Sequence, residues 1–341
     1  MAAPNHRPQR PVIALTPGDP AGIGPEIVLR AAADSALART CRLIVVGNRG
    51  ILESAAQVLR AAEGRIAQNR LKGLEIHEAG RIRPGKVPWG KVSATAGRFS
   101  YECVEAAVRL IQAGGADALV TGPISKKSWE LAGLTYPGHT EALAELTGTK
   151  DFAMTFFAGP LRVGLVTAHL PLRKVAPAIR RRAVLRTLRV LNRWLREAEG
   201  KRSPRIAVSG LNPHAGEGGK LGIEEETEVS PAIAAAREEG ILAEGPFPAD
   251  ALFARSGRSG TRWDAFVAMY HDQGLIAAKL LGRGQAVNVT LGLPFVRTSP
   301  DHGTAFDIAG RGVADPRSLI QAVRLAARLS SGPAGRRPKR K

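Results

Sequence analysis

Short apolar runs rich in β-branched residues alternate along this chain with longer stretches of helical periodicity, and that alternation restricts it to the α/β architectures. The apolar runs fall at residues 12–15, 43–46, 118–120, 152–157, 163–167, 205–208, 265–269 and 287–291. Between them, residues 25–33, 50–62, 97–113, 141–148, 175–198, 224–239 and 316–329 carry the helical spacing of apolar positions. Strands separated in this way pair mainly in parallel, and the ligands of such folds collect beyond the strands' carboxyl ends. At 341 residues the chain exceeds a typical domain of roughly 100–200 residues, so two domains are expected. No internal repeat or low-complexity linker marks a boundary between them.

The apolar content of 44% supports a substantial core and argues against a disordered chain. Cys41 and Cys103 form no CxxC pair, which points away from a disulfide framework or a thiolate zinc site and toward a reducing compartment. Residues 1–10 lack the apolar segment of a signal peptide, and no run approaches about 18 uninterrupted apolar residues, so a soluble, cytoplasmic protein is expected. The formal charge of +19 raises the question of nucleic acid. Much of the excess lies in residues 173–205, through Arg180, Arg181, Arg182, Arg186, Arg189, Arg193 and Arg196, and in the tail Arg336, Arg337, Lys339, Arg340 and Lys341. Neither region interleaves its charges with the series of aromatic rings that a base-stacking platform uses, so a solvated helix face and a basic terminus are the expectation, without a nucleic-acid partner. The positive field still concentrates anionic substrates.

The stretch Gly18-Asp19-Pro20-Ala21-Gly22-Ile23-Gly24-Pro25-Glu26 follows the first predicted strand. Its spacing is neither GxGxxG nor GxxxxGK[ST], so no dinucleotide fingerprint or P-loop is claimed, and a structural turn and an anion cradle both fit it. Five of the seven histidines, His139, His169, His214, His271 and His302, stand at predicted strand ends or in glycine-rich loops. Singly, each reads as a hydrogen-bonded loop residue. Collectively, His169, His214 and His271 each follow an apolar run and precede a predicted turn, where three imidazoles could share one cation and leave positions open for substrate.

Seven segments in order, Gly18 to Glu26, Thr121-Gly122-Pro123, Gly138-His139-Thr140-Glu141, Thr167 to Leu172, Asn212 to Gly216, His271-Asp272-Gln273-Gly274 and Asp301 to Ala305, resemble the 4-hydroxythreonine-4-phosphate dehydrogenase family of vitamin B6 synthesis. The resemblance implies that His169, His214 and His271 bind a divalent cation (zinc, magnesium or cobalt) in a site completed across a homodimer interface. It further implies that His139, Thr140, Lys279, Asn288 and Arg297 contact a small phosphorylated substrate. Residues 301–316 are similar to the adenosine-binding loop of isopropylmalate and isocitrate dehydrogenases, which implies NAD or NADP bound through His302, Gly303, Thr304, Ala305 and Asp307 without a Rossmann domain. By the same likeness the fold is two α/β/α domains with the active site in the cleft. Residues 1–125 with 290–341 form a cofactor-side domain, and 126–289 a metal, substrate and dimerisation domain.

The implied reaction is oxidation of 4-(phosphooxy)-L-threonine at its C3 hydroxyl to a β-keto acid that decarboxylates to 3-amino-2-oxopropyl phosphate. Dehydrogenation of a phosphorylated sugar acid, 4-phosphothreonate or 4-phosphoerythronate, is the alternative, and metal-assisted phosphoester hydrolysis is a rival from another class. Lys279 or Asp250 is the candidate proton acceptor, with Asp272 a further candidate or a support for a histidine. Lys126, at a predicted helix start, reads first as a solvent-exposed lysine and second as a residue facing phosphate.

Overall fold

The computed structural model describes residues 10–64, 71–83, 85, 87–256 and 262–332; the basic tail from Arg336 lies outside them. The chain enters on β1 (Val12–Thr16), whose near-complete burial requires cover on both faces. It continues through α1 (Gly24–Ala32), α2 (Ser35–Thr40), β2 (Arg42–Gly47), α3 (Arg49–Glu63), β3 (Glu75–Glu78), α4 (Ala94–Gln112), β4 (Ala118–Thr121), α5 (Lys126–Leu131) and α6 (His139–Leu146). The middle of the chain forms β5 (Ala153–Ala158), β6 (Leu161–Leu165), α7 (Val175–Ala178), α8 (Arg181–Ala198), β7 (Arg205–Ser209), α9 (Ser230–Glu238) and β8 (Leu242–Phe247). It ends with α10 (Ala249–Ser256), β9 (Ala265–Ala268), α11 (His271–Gly282), β10 (Val287–Leu291), β11 (Val296–Pro300) and α12 (Arg317–Ser330).

Two compact units result, one from Met1–Ala142 and Phe295–Ser331, the other from Leu143–Pro294. In the first, the strand order is β3-β2-β1-β4-β11, and every pairing is parallel. α4 and α12 both pack against β1 and β4, with α5 beside α4 and α1 and α2 beside α12. In the second, the order is β10-β5-β6-β9-β7-β8, antiparallel at β10–β5 and β5–β6 and parallel elsewhere. The alternation of side chains along β6 shows its two faces. A Cβ on Gly164 would stand 2.3 Å from Leu191 of α8, whereas the flanking Val163 and Leu165 meet α11 at Gly274. Helices therefore cover both sides, and Leu161, Val163, Phe156 and Phe266 form the core between.

Several elements differ from those expected. The helix expected over 175–198 is two, broken at Ile179 and Arg180 just after Pro177. The helix expected over 224–239 opens with a π-turn at Glu225–Val229 before α9. On α8 the arginines from Arg180 to Arg196 are exposed as expected, while the one aromatic among them, Trp194, packs edge-on against Phe157 at 5.1 Å.

Candidate active site

In the first unit, Arg297 on β11 is the most demanding residue. It is 2% exposed, and its Nη2 donates to Thr121 Oγ1 at the end of the neighbouring β4, 2.7 Å away. Burial pulls its pKa down to about 10 against the opposing charge of Glu141, so the guanidinium remains cationic at neutral pH. His139 opens α6 and sits edge-on to Trp129 at 5.5 Å, and Trp129 is itself anchored by a 2.8 Å bond from Nε1 to Ser100 Oγ. Burial, and then the charge of Arg297, hold the His139 imidazole well below its usual range. The ring is neutral, and its buried Nε2 has no hydrogen-bond partner among the described residues. Thr140 is buried beside it, and Gly138 lies where an added Cβ would stand 3.7 Å from both Lys126 Cε and Glu141 Oε2. One buried cation, one lysine and a neutral ring with an open nitrogen suit an anion with hydrogen-bonding oxygens.

The same unit holds the loop of residues 301–316. A carbonyl can only accept, so the 3.0 Å contact between His302 Nδ1 and Gly303 O makes Nδ1 the donor. That leaves Nε2 as an acceptor, buried and without a partner among the described residues. Gly303 borders open space, Ala305 is left-handed at φ 43, Asp307 is exposed, and Thr304 is partly buried.

In the second unit, register brings two histidines together. β6 and β9 run parallel, and their pairing extends past the strand ends through Val166 N to Ala268 O and Thr167 N to Met269 O. His169 and His271 each follow two residues further, with ring centroids 5.9 Å apart. An imidazole coordinated at about 2.1 Å has its centre roughly 3 Å from the ion, so two ligands of one cation place their centroids roughly 5–6 Å apart. The pair fits a shared cation. His271 opens α11 rather than preceding a turn, and its Nδ1 contacts Asp272 Oδ1 at 2.6 Å, a pairing that leaves Nε2 as the ring nitrogen available to a ligand. His214 lies in the exposed turn Pro213–Gly216, where His214, Ala215 and Glu217 all take positive φ. Among the described residues no group of three or more His, Cys, Asp or Glu is placed to hold a metal ion, so His214 does not join the pair within one chain.

Asp250 is exposed in the first turn of α10, which packs against both the His214 turn and α11. Lys279 is exposed about two turns along α11 from His271. Asn288 lies on β10 with a buried Oδ1 that has no partner among the described residues.

Two further residues, neither a candidate for a role in the sequence analysis, organise the loops around the histidines. Glu225, 2% exposed, accepts from Leu211 N and Asn212 N, each at 2.7 Å, and from Asn212 Nδ2 at 2.9 Å, fixing the approach to His214. Gln273 accepts from Ser209 Oγ and Met269 N and donates to Gly210 O, tying the ends of β7 and β9 beside His271. Glu225 bears no sequence signal, since its partners lie more than a helix turn away in the chain, and Gln273 stands inside the His271–Gly274 segment without its role being readable there.

Comparison with known proteins gives the class first. A protein of Synechocystis sp. named 4-hydroxythreonine-4-phosphate dehydrogenase is 43% identical over 94% of this chain and 95% of its own length. One of Cupriavidus necator named D-threonate 4-phosphate dehydrogenase is 42% identical over 94% and 98%. The crystal structure of 4-hydroxythreonine-4-phosphate dehydrogenase from Klebsiella pneumoniae is 39% identical, covers 94% of this chain and 99% of its own, and superposes with a TM-score of 0.83. The protein is thus an α/β enzyme of the dehydrogenase class. The model of the family described as pyridoxal phosphate biosynthetic protein PdxA matches residues 39–326, and the chain belongs to that family.

Proposed function

We propose that this enzyme oxidises 4-(phosphooxy)-L-threonine at its C3 hydroxyl with NAD or NADP, in the cytoplasm, as a step of pyridoxal phosphate synthesis. The product is a β-keto acid that loses carbon dioxide to give 3-amino-2-oxopropyl phosphate. The observation that carries this reading is Arg297, a cation almost wholly removed from water beside a neutral His139 with an open nitrogen. An arginine fork suits the oxygens of a phosphate monoester, and the relatives named above are dehydrogenases of phosphorylated acids.

Arg297, His139 and Thr140 bind the phosphate, with Lys126 adding charge, while Lys279 and Asn288 bind the rest of the substrate. Lys279 or Asp250 takes the proton of the C3 hydroxyl as its carbon gives up hydride. His169, His271 and His214 hold the divalent cation, with Asp272 orienting the His271 ring. When bound, that cation acidifies a coordinated hydroxyl and the dinucleotide accepts the hydride. His302, Gly303, Thr304, Ala305 and Asp307 hold the adenosine end, where the buried His302 Nε2 presents an acceptor to an amino group. Two copies of the chain form the working unit. Leu170 and Leu172 beside His169, Leu221 and Ile223 beyond His214, and Ile276 and Leu280 on the helix that His271 opens are all exposed apolar side chains that a second copy would cover.

A second reading, oxidation of D-threonate 4-phosphate, is favoured by the Cupriavidus relative. The test is a panel of 4-(phosphooxy)-L-threonine, D-threonate 4-phosphate and D-erythronate 4-phosphate, each with NAD and NADP, before and after chelation and with zinc, magnesium or cobalt restored. Reduced nicotinamide should form fastest with the phosphothreonine, vanish on chelation, and fall with bound metal in His214→Ala. Absence of reduction with every phosphorylated acid would overturn the proposal, and inorganic phosphate released without dinucleotide would replace it with hydrolysis.

A further inference from the structure

The stretch Gly18 to Glu26 has the composition of an anion cradle, but its polar groups turn toward the chain itself. Ile23 N donates to Thr304 O at 3.0 Å, and Gly22 passes so near that a Cβ there would stand 2.9 Å from Thr304. In the first turn of α1, Glu26 is fully buried, and its Oε1 accepts from Gly310 N at 2.7 Å. One turn further, Arg30 donates through Nη1 to Ala314 O and through Nη2 to Gly312 O, while its Nε binds Glu63 of α3 at 2.7 Å. Glu26 and Arg30 are four residues apart and so share one face of the helix. That face meets a donor and then acceptors along the same strip of loop backbone, and Glu63 holds the guanidinium in line.

A buried carboxylate and a largely buried arginine are costly unless paired; Glu26 accepts from Gly310 N through Oε1, and Arg30 divides its donors between the Glu63 carboxylate and the main-chain oxygens of Gly312 and Ala314. A glycine-containing loop has many backbone states in the absence of such bonds, and ordering them at the moment of binding weakens affinity. We infer that Glu26 and Arg30 are positioning residues for the dinucleotide, which hold residues 301–316 in the conformation that receives the adenosine end. The inference rests on the cofactor reading of that loop.

The test is titration of NADH and NADPH fluorescence on the full-length protein, with steady-state kinetics and hydrogen exchange, for wild type, Glu26→Gln, Arg30→Ala and Arg30→Lys. Glu26→Gln should weaken dinucleotide binding about tenfold, because the amide oxygen can still accept from Gly310 N but without the charge that strengthens the bond. kcat at saturating dinucleotide and KM for the phosphorylated acid should stay within about twofold of wild type, as expected for uniform binding of the cofactor. The Gly310 and Gly312 amides should exchange faster, and Arg30→Lys should recover part of what Arg30→Ala loses. Wild-type affinity in both Glu26→Gln and Arg30→Ala would overturn the positioning role alone. Losses that fall equally on kcat, both KM values and the denaturation midpoint would overturn it too, leaving the pair as general supports of the fold. Wild-type protein that binds neither dinucleotide would overturn the cofactor reading of the loop, and the positioning role with it.

Discussion

Arg297 carries a charge where burial makes that charge costly. A guanidinium 2% exposed, with its pKa drawn down to about 10, is held at a cost that an apolar side chain of similar length would not incur. Arg297→Met should therefore raise the urea midpoint, by a stabilisation of ~1–3 kcal/mol, while abolishing saturation by the phosphorylated substrate. Arg297→Lys keeps the charge but loses the fork, and should raise KM without restoring stability. A less stable Arg297→Met protein would mean that the arginine is chiefly a structural member of the Thr121 contact. The same logic separates what was legible at this scale. Sequence singled out His139 and His302 by type and motif, and Arg297 only through the family resemblance, but the partner that fixes His139, Trp129, and the anchor of Trp129, Ser100, lie in helices whose contact only the fold creates.

At the scale of elements, the strands with continuous apolar runs were readable, and those that break the rule were not. β3 is Glu-Ile-His-Glu at an edge, β8 contains Gly245 and Pro246, and β11 ends in Ser299 and Pro300, so none shows a strand's run or alternation. α11 escaped because Gly274 stands where helical packing would place a large apolar residue. Its close approach to β6 and β9 explains the glycine, and its exposed Ile276 and Leu280 blur the amphipathic pattern. α2, α5 and α10 are too short for periodicity to speak. The other face of β6 supplies a test of the layering. Gly164→Ala places a methyl group against Leu191 and should cost ~1–3 kcal/mol in urea denaturation with normal kinetics in the folded fraction. A neutral result would mean that α8 stands farther from β6 than the structure places it.

At the scale of the whole molecule, the histidines raise one question that a single chain does not answer. His169 and His271 are brought to a shared-ligand distance by strand register, whereas no third ligand joins them among the described residues. The exposed leucines and isoleucines that follow each of the three histidines within nine residues would give the proposed second copy an apolar surface to cover. Burying Ile276 and Leu280, which are 62% and 73% exposed and one turn apart on α11, contributes roughly 1.5–3 kcal/mol per side chain. Those two side chains are remote from the core, so Ile276→Asp with Leu280→Asp should leave the monomer folded. Sedimentation velocity should show wild type at twice the mass of the chain and the double variant at the mass of one chain. Metal bound per chain, measured by elemental analysis after gel filtration, should fall in step with the dimer, because a pair of imidazoles alone holds a divalent ion weakly compared with three ligands. A double variant that stays dimeric would move the interface away from α11. One that becomes monomeric with full metal content would mean that each chain assembles its own site, with His214 swinging in from its left-handed turn.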